Sequence, residues 1–164
     1  MNDEQFVEIA LTVNGERHEV RCEARTLLSD LLRDELDHKE VRVGCEHGVC
    51  GACTIMVDGE AIRSCIMLAG CADDAEIVTA AGLVTEGEEL PPLQSAFTEH
   101  HGFQCGFCTA GILVSVLAEA RAGRSREEVL ADTLGGHICR CTGYVNIRRA
   151  INAAWDDIAP EAPA

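Results

Sequence analysis

The sequence contains no long apolar run and no recognisable secretion signal. Its longest apolar stretch, residues 110–118, has nine residues and is interrupted by Ser115. A membrane-spanning helix needs about 20 apolar residues, so we expect no membrane span. The first residues, Met-Asn-Asp-Glu-Gln-Phe, lack the basic and apolar regions of a signal peptide. We therefore expect a cytoplasmic protein.

Basic and aromatic residues are also scarce. Lysine and arginine number 13 against 28 acidic residues, so the formal net charge is −15. Nucleic acids and anionic membranes attract basic surfaces, which this composition does not provide. Only six residues are aromatic, too few for a surface on which bases stack. Nucleic-acid binding is therefore excluded as an expected function.

Cysteine, in contrast, is abundant, with ten residues. Secreted disulfide-rich domains are usually shorter and carry a secretion signal. The cysteines are therefore expected to be metal ligands in a reduced compartment.

The first half of the chain has the pattern of a small α+β domain. Residues 7–13 alternate between apolar and polar, Asn14-Gly15 predicts a hairpin turn, and 17–22 alternate again. Thr26 is expected to cap a helix over 27–36. Beyond a glycine- and cysteine-rich loop, strands are predicted at 54–57 and 60–64, with Asp58-Gly59 as the turn between them, and at 76–79. This pattern assigns residues 1–79 to one domain.

The second half has helical patterns only. Residues 80–92 have the glycine, proline and glutamate content of a linker. Helices are predicted at 93–101, 109–122 and 146–158, and a further one after Ser125, where Glu128 completes a capping box. Trp155 is expected in the core of this half. Residues 93–164 are therefore predicted to form an all-α bundle.

Four cysteines in the first half have the spacing of plant-type 2Fe–2S ferredoxins. Cys45, Cys50 and Cys53 follow a C-x4-C-x2-C pattern, and Cys65 comes shortly after the second predicted strand of a hairpin. Gly44, Gly48 and Gly51 allow the backbone to wrap closely around an inorganic core. Zinc sites usually contain two separated pairs of ligands rather than three cysteines within nine residues. The spacing therefore predicts a 2Fe–2S cluster.

Four cysteines in the second half form two pairs, Cys105-x2-Cys108 and Cys139-x-Cys141. Two such pairs fit a structural zinc ion as well as an iron–sulfur cluster. Because the pairs precede predicted helices, a negatively charged cluster would lie near helix N-termini. Spacing alone leaves both alternatives open.

The other candidate ligands have simpler expected roles. Cys22 and Cys71 are expected to be small buried side chains. His47 and His137 are expected to lie in loops around the clusters rather than to bind iron, because four cysteines are available to each site.

Three motifs resemble the iron–sulfur small subunit of the molybdenum hydroxylases, the xanthine oxidase and carbon monoxide dehydrogenase family. These motifs are GCEHGVCGACT at 44–54, QCGFCTAG at 104–111 and CRCTGY at 139–144. They occur in order, and the resemblance extends over nearly the whole chain.

The resemblance implies a ferredoxin-like β-grasp domain followed by a four-helix bundle, with one 2Fe–2S cluster in each. It implies that the cluster of the second half lies next to molybdopterin in a large subunit. The cluster of the first half would lie toward FAD in a medium subunit. By motif position, Gln104 would hydrogen-bond the pterin and Cys141 would be the ligand nearest to it. The expected assembly is a heterotrimer or a dimer of heterotrimers.

The sequence thus predicts a non-catalytic electron-transfer subunit of an oxidoreductase. Electrons would pass from molybdenum to the cluster of the second half, then to that of the first half, then to FAD. The alternative is a free-standing ferredoxin whose helical half holds structural zinc. Substrate contacts would belong to the large subunit, so the substrate is left open among xanthine, nicotine, caffeine, carbon monoxide and aldehydes.

Overall fold

The computed structural model describes residues 5–84 and 87–159. The chain forms one mixed sheet followed by a set of helices, a mixed α/β architecture. The strands are β1 (Phe6–Val13), β2 (Glu16–Glu23), β3 (Thr54–Val57), β4 (Glu60–Arg63) and β5 (Glu76–Val78). Their order in the sheet is β2-β1-β5-β3-β4. β1 and β5 are parallel, and the other neighbouring strands are antiparallel.

The two predicted hairpin turns are present. Asn14 and Gly15 have φ values of +52° and +85°, and Asp58 and Gly59 have +51° and +88°. Two successive residues with positive φ match the right-handed twist of a hairpin, and this favours Asn-Gly and Asp-Gly. In β1 the predicted alternation is confirmed by Ile9, Leu11 and Val13, which are all buried.

The helix predicted over 27–36 is shorter and less regular than expected. An α-helical turn, α1 (Leu28–Asp30), continues into a π-helical turn at Leu31–Glu35. The predicted cap at Thr26 is wrong, since Leu27 is the capping position and no side chain caps the helix. The reason is tertiary: Leu27 pairs with Leu68 in a β-bridge, and the Thr26 carbonyl accepts the Ala69 amide at 2.8 Å. These contacts hold Leu27 extended.

The helices of the second half are close to their expected positions. They are α2 (Pro92–Glu99), α3 (Thr109–Arg121), α4 (Arg126–Glu128), which continues as a π-helical turn at Val129–Thr133, and α5 (Val145–Ile158). The capping box of Ser125 and Glu128 is confirmed, and Trp155 lies in the helical core. In the described part of the chain, no helix is both long and apolar enough to cross a bilayer. The last five residues of the predicted bundle, 160–164, and Thr85 and Glu86 of the predicted linker lie outside the described residues.

Strand β3 separates two apolar cores. Ile55 and Val57 belong to a core between the sheet and α1, whereas Met56 belongs to the core of the helices. Successive side chains of a strand point to opposite faces, so β3 is covered on both sides. Helix α3 packs against this strand and the loop before it: a side chain on Gly111 would lie less than 3.0 Å from the Gly51 carbonyl. This packing brings the two cysteine-rich loops together.

Candidate metal centres

The structure gathers the eight predicted ligands into two sites. The first site is the loop before β3 together with Cys65, in the short 3-10 helix Ser64–Ile66 that follows β4. The second site is formed where the loop before α3 meets the loop before α5. We refer to them as the first and second cluster sites. Their predicted ligands are Cys45, Cys50, Cys53 and Cys65 for the first site, and Cys105, Cys108, Cys139 and Cys141 for the second.

Within each site the sulfur atoms approach one another in pairs. The Sγ atoms of Cys105 and Cys141 lie 3.6 Å apart, and the Cys108 and Cys139 thiols are within hydrogen-bonding reach. In the first site Cys45 is paired with Cys50. Cys53 is paired with Cys65. Among the described residues, no three Cys, His, Asp or Glu side chains converge on one ion position.

This pairing fits the donor geometry of a 2Fe–2S cluster, in which each iron takes two cysteine thiolates. Two thiolates on one tetrahedral metal lie about 3.8 Å apart when the metal–sulfur bonds are about 2.3 Å long. The 3.6 Å separation of Cys105 and Cys141 is close to that edge length. The residues present therefore fit the group that the sequence implies.

The two sites differ in exposure. In the first site Cys53 and Cys65 are buried, and Cys45 and Cys50 are half-buried. In the second site only Cys108 is buried, and Cys105 and Cys141 are exposed. The second site thus presents one edge to the surroundings, and this edge carries Gln104. The Gln104 side-chain amide donates to the Cys141 carbonyl at 3.1 Å.

Hydrogen bonds and burial move the thiol pKa values in opposite directions. Backbone amides, led by that of Cys50, lower the pKa of Cys45 to about 6. Burial raises the pKa of Cys65 to about 11 and that of Cys108 to about 12. Metal ligation requires thiolates, so metal binding at Cys65 and Cys108 releases protons that these groups hold at neutral pH.

The loop of the first site is fixed by tight turns and side-chain contacts. Gly48 and Gly51 have φ values of +79° and +81°, which glycine adopts without strain. The Thr54 hydroxyl donates to the Gly51 carbonyl at 2.6 Å. The exposed His47 ring contacts the Cys45 carbonyl oxygen through its Nδ1 atom. The expectation that His47 is a loop residue is thus consistent with its position.

The sequence motifs did not predict the contacts that join the two cluster sites. The Ile138 amide donates to the Cys50 carbonyl at 2.9 Å. Arg63 donates to the Thr54 hydroxyl through Nη1 and to the Gly136 carbonyl through Nη2, the latter at 2.9 Å. A side chain on Gly44 would meet the Phe107 ring at 3.2 Å. No sequence pattern predicted these contacts. Three of them join residues more than 60 positions apart, and the fourth, between Arg63 and Thr54, includes a residue outside the cysteine motifs.

The two cysteines outside the sites have different environments. Cys22 is 3% exposed, as expected for a small core residue. Cys71 lies in the 3-10 helix Ala69–Ala72 and is exposed, so the expectation that it is buried is wrong. The small residues around it do not form a core at that position, and only Ala69 and Ala72 of the turn point inward.

Comparison with known proteins adds a family assignment to this geometry. Residues 11–81 match the 2Fe-2S iron-sulfur cluster binding domain, and residues 79–152 match a second 2Fe-2S binding domain. The chain is 49% identical over 149 residues to the caffeine dehydrogenase subunit gamma of Pseudomonas sp. strain CBB1. This alignment covers 88% of this chain and 89% of that protein. It is 50% identical to the nicotine 6-hydroxylase small subunit of Paenarthrobacter nicotinovorans, covering 88% and 87% of the two chains.

The chain belongs to the small iron–sulfur subunits of the molybdenum hydroxylases. It is accordingly a non-catalytic subunit of an oxidoreductase complex. A solved structure gives the same result: a chain of quinoline 2-oxidoreductase from Pseudomonas putida 86 superposes with a TM-score of 0.86 at 41% identity, covering 94% of this chain and 96% of that one. The aldehyde oxidoreductase of Desulfovibrio gigas matches with a TM-score of 0.81 at 37% identity. This match covers 96% of this chain but only 19% of the longer aldehyde oxidoreductase chain.

Proposed function

We propose that this chain transfers electrons between two partner subunits through two 2Fe–2S clusters. The first would be held by Cys45, Cys50, Cys53 and Cys65, and the second by Cys105, Cys108, Cys139 and Cys141. When bound, such clusters accept and release single electrons. The proposed route runs from molybdopterin in a large subunit to the second cluster, then to the first, and then to FAD in a medium subunit.

The observation that carries this proposal is the direct contact between two complete four-cysteine sites. The Cys50 carbonyl of the first site accepts the amide of Ile138, which immediately precedes Cys139 of the second. One hydrogen bond therefore joins the loops of the two sites. This contact supports the proposal because it places the two sites next to each other, which electron transfer between them needs.

The direction of the route is supported by the exposure of the second site. Cys141 and Gln104 lie at its exposed edge. A primary amide offers both a donor and an acceptor, which suits the mixed polar edge of a pterin. We therefore place molybdopterin beside Cys141 and Gln104.

Exposed apolar side chains lie beside each site and support two separate partners. Val49 and Ile66 flank the first site and are 55% and 61% exposed. Phe103 and Val145 flank the second and are 43% and 55% exposed. Exposed apolar surface of this kind is typical of protein interfaces. We assign the first pair to the flavin subunit and the second to the molybdenum subunit, in a heterotrimer or a dimer of heterotrimers.

The proposal includes the organisation of the chain and its compartment. Residues 1–79 would form a ferredoxin-like β-grasp domain, 80–92 a linker and 93–164 a four-helix-bundle domain. The two apolar cores on either side of β3 support this division. None of the ten cysteines, all within the described residues, forms a disulfide bond, and we propose the reducing cytoplasm as the compartment.

The substrate is assigned to the large subunit. Two relatives of nearly equal identity, 49% and 50%, carry the names of different substrates, caffeine and nicotine. A similar small subunit therefore accompanies different substrates.

Co-expression with the candidate large and medium subunits tests the proposal. We expect a complex that co-purifies and in which substrate reduces both iron–sulfur signals before the flavin in single-turnover experiments. A complex in which substrate reduces the flavin while both clusters remain oxidised would contradict the route.

A further inference from the structure

His137 lies two residues before Cys139, a ligand of the second site, but its ring contacts the loop of the first. A side chain on Gly51 would lie less than 3.0 Å from both Nδ1 and Cε1 of the His137 ring. Gly51 stands between the ligands Cys50 and Cys53. The imidazole therefore packs against the segment that connects two ligands of the first site.

The His137 ring is held in this position by helix α3. Its Nε2 lies 2.8 Å from the Ser115 hydroxyl, and the two side chains are 2% and 3% exposed. Ser115 lies one helical turn after Gly111, the residue that approaches the Gly51 carbonyl. The segment between Cys50 and Cys53 thus contacts both α3 and the imidazole.

The backbone of His137 contributes to the second site instead. The Tyr144 hydroxyl donates to the His137 carbonyl at 3.0 Å and accepts the Cys139 amide at 2.8 Å. Tyr144 therefore orients the amide of a second-site ligand. The side chain of His137 thus contacts the first site, and its backbone carbonyl contacts the second.

We propose that the His137 imidazole is a positioning residue for the first cluster, with Tyr144 as its counterpart for the second. Gly51, with φ of +81°, is the conformationally freest residue between Cys50 and Cys53. With the ring in place, the segment has one packed arrangement. Without the ring, the space beside Gly51 opens. The positions of the backbone amides around the ligands and the solvent exposure of the ligands then change. Hydrogen bonds to the sulfurs and solvent exposure set the potential of such a cluster.

This inference rests on the proposed function for the presence of two clusters, and the experiment separates the two. Potentiometric titration of the full chain in its complex, followed by EPR, measures each cluster independently. Two distinct cluster signals in the unmodified protein are the precondition set by the proposed function, and their absence would count against that function. The variants then test His137 alone.

We expect His137→Ala and Ser115→Ala to change the reduced-to-oxidised ratio of the first cluster by about threefold at a fixed ambient potential, and to leave the second unchanged. His137→Gln retains a polar group that can reach Ser115 and should restore much of the first-cluster value. Tyr144→Phe should shift the second cluster and leave the first unchanged. His18→Ala, on the outermost strand β2, is the matched histidine control and should change neither.

Loss of the first cluster alone in His137→Ala would also support the assignment. A shift or loss of the second cluster alone, equal changes in both, or no change in either would overturn it.

Discussion

Cys105 and Cys141 lie 36 positions apart in the chain, and their sulfur atoms lie 3.6 Å apart. The pair joins the loop before α3 to the loop before α5, so the second site depends on the packing of both helices. The four ligands of the first site lie before residue 66. The two sites are therefore built by separate parts of the chain.

This separation predicts selective loss of iron. Cys141→Ser should remove the second cluster and keep the first, so that iron falls from about four to about two atoms per chain. Metal analysis and EPR of the purified variant measure this. Cys71→Ser is the matched control, because Cys71 is exposed and outside both sites, and it should keep all the iron. Loss of both clusters in Cys141→Ser would show that the sites are not separable.

Gly111 is expected to tolerate no side chain. In Gly111→Ala the new methyl group would press on the Gly51 carbonyl, and we expect a loss of about 1–3 kcal/mol in the free energy of unfolding. Gly135→Ala is the control, since a methyl group added there would meet no neighbour within 4 Å. Gly135 is helical, so an alanine there should be neutral or slightly stabilising. Denaturant unfolding measures both. Equal stability of the two variants would contradict the close packing of α3 on the first loop.

The two spare cysteines should respond differently to truncation. Cys22→Ala removes a buried side chain and should cost about 1–2 kcal/mol of stability without loss of iron. Cys71→Ala should leave both stability and iron content unchanged, because the side chain is exposed. Thermal unfolding combined with iron analysis distinguishes these outcomes, and iron loss from Cys22→Ala would mean that a ligand had been misassigned.

Much of this architecture could be predicted from local sequence patterns. The alternation in β1, the Asn-Gly and Asp-Gly turns and the Ser125 capping box depend on neighbouring residues, and all three are confirmed. The cysteine spacing likewise predicts the position of the first site, since three of its predicted ligands belong to one loop.

The remaining features depend on distant contacts that leave no local trace. Leu27 is extended because it pairs with Leu68, and this overrides the cap predicted at Thr26. Cys71 belongs to a run of small residues, but the 3-10 helix Ala69–Ala72 buries Ala69 and Ala72 and leaves Cys71 exposed. Arg63 and Ser115 have no motif around them, and tertiary packing alone brings them to their partners Gly136 and His137, in the loop that follows Val129–Thr133.

Gln104 should control electron entry without building either site. Its amide donates to the Cys141 backbone carbonyl and not to a cysteine sulfur. We expect Gln104→Ala to keep both clusters and complex assembly but to slow their reduction by substrate about tenfold or more, as for the loss of one positioned hydrogen bond of about 1.4 kcal/mol. Reduction of the first cluster from the flavin side should be unaffected. Rapid-mixing EPR follows each cluster, and unchanged reduction by substrate would remove Gln104 from the route.

The presence of two 2Fe–2S clusters in one chain is the central expectation, and metal content tests it most directly. Iron, sulfide and zinc should be measured in the anaerobically purified protein and combined with EPR after reduction. We predict about four irons and four sulfides per chain, no stoichiometric zinc, and two distinct 2Fe–2S signals. About two irons with one zinc and a single 2Fe–2S signal would contradict the account and favour a ferredoxin with a structural zinc site.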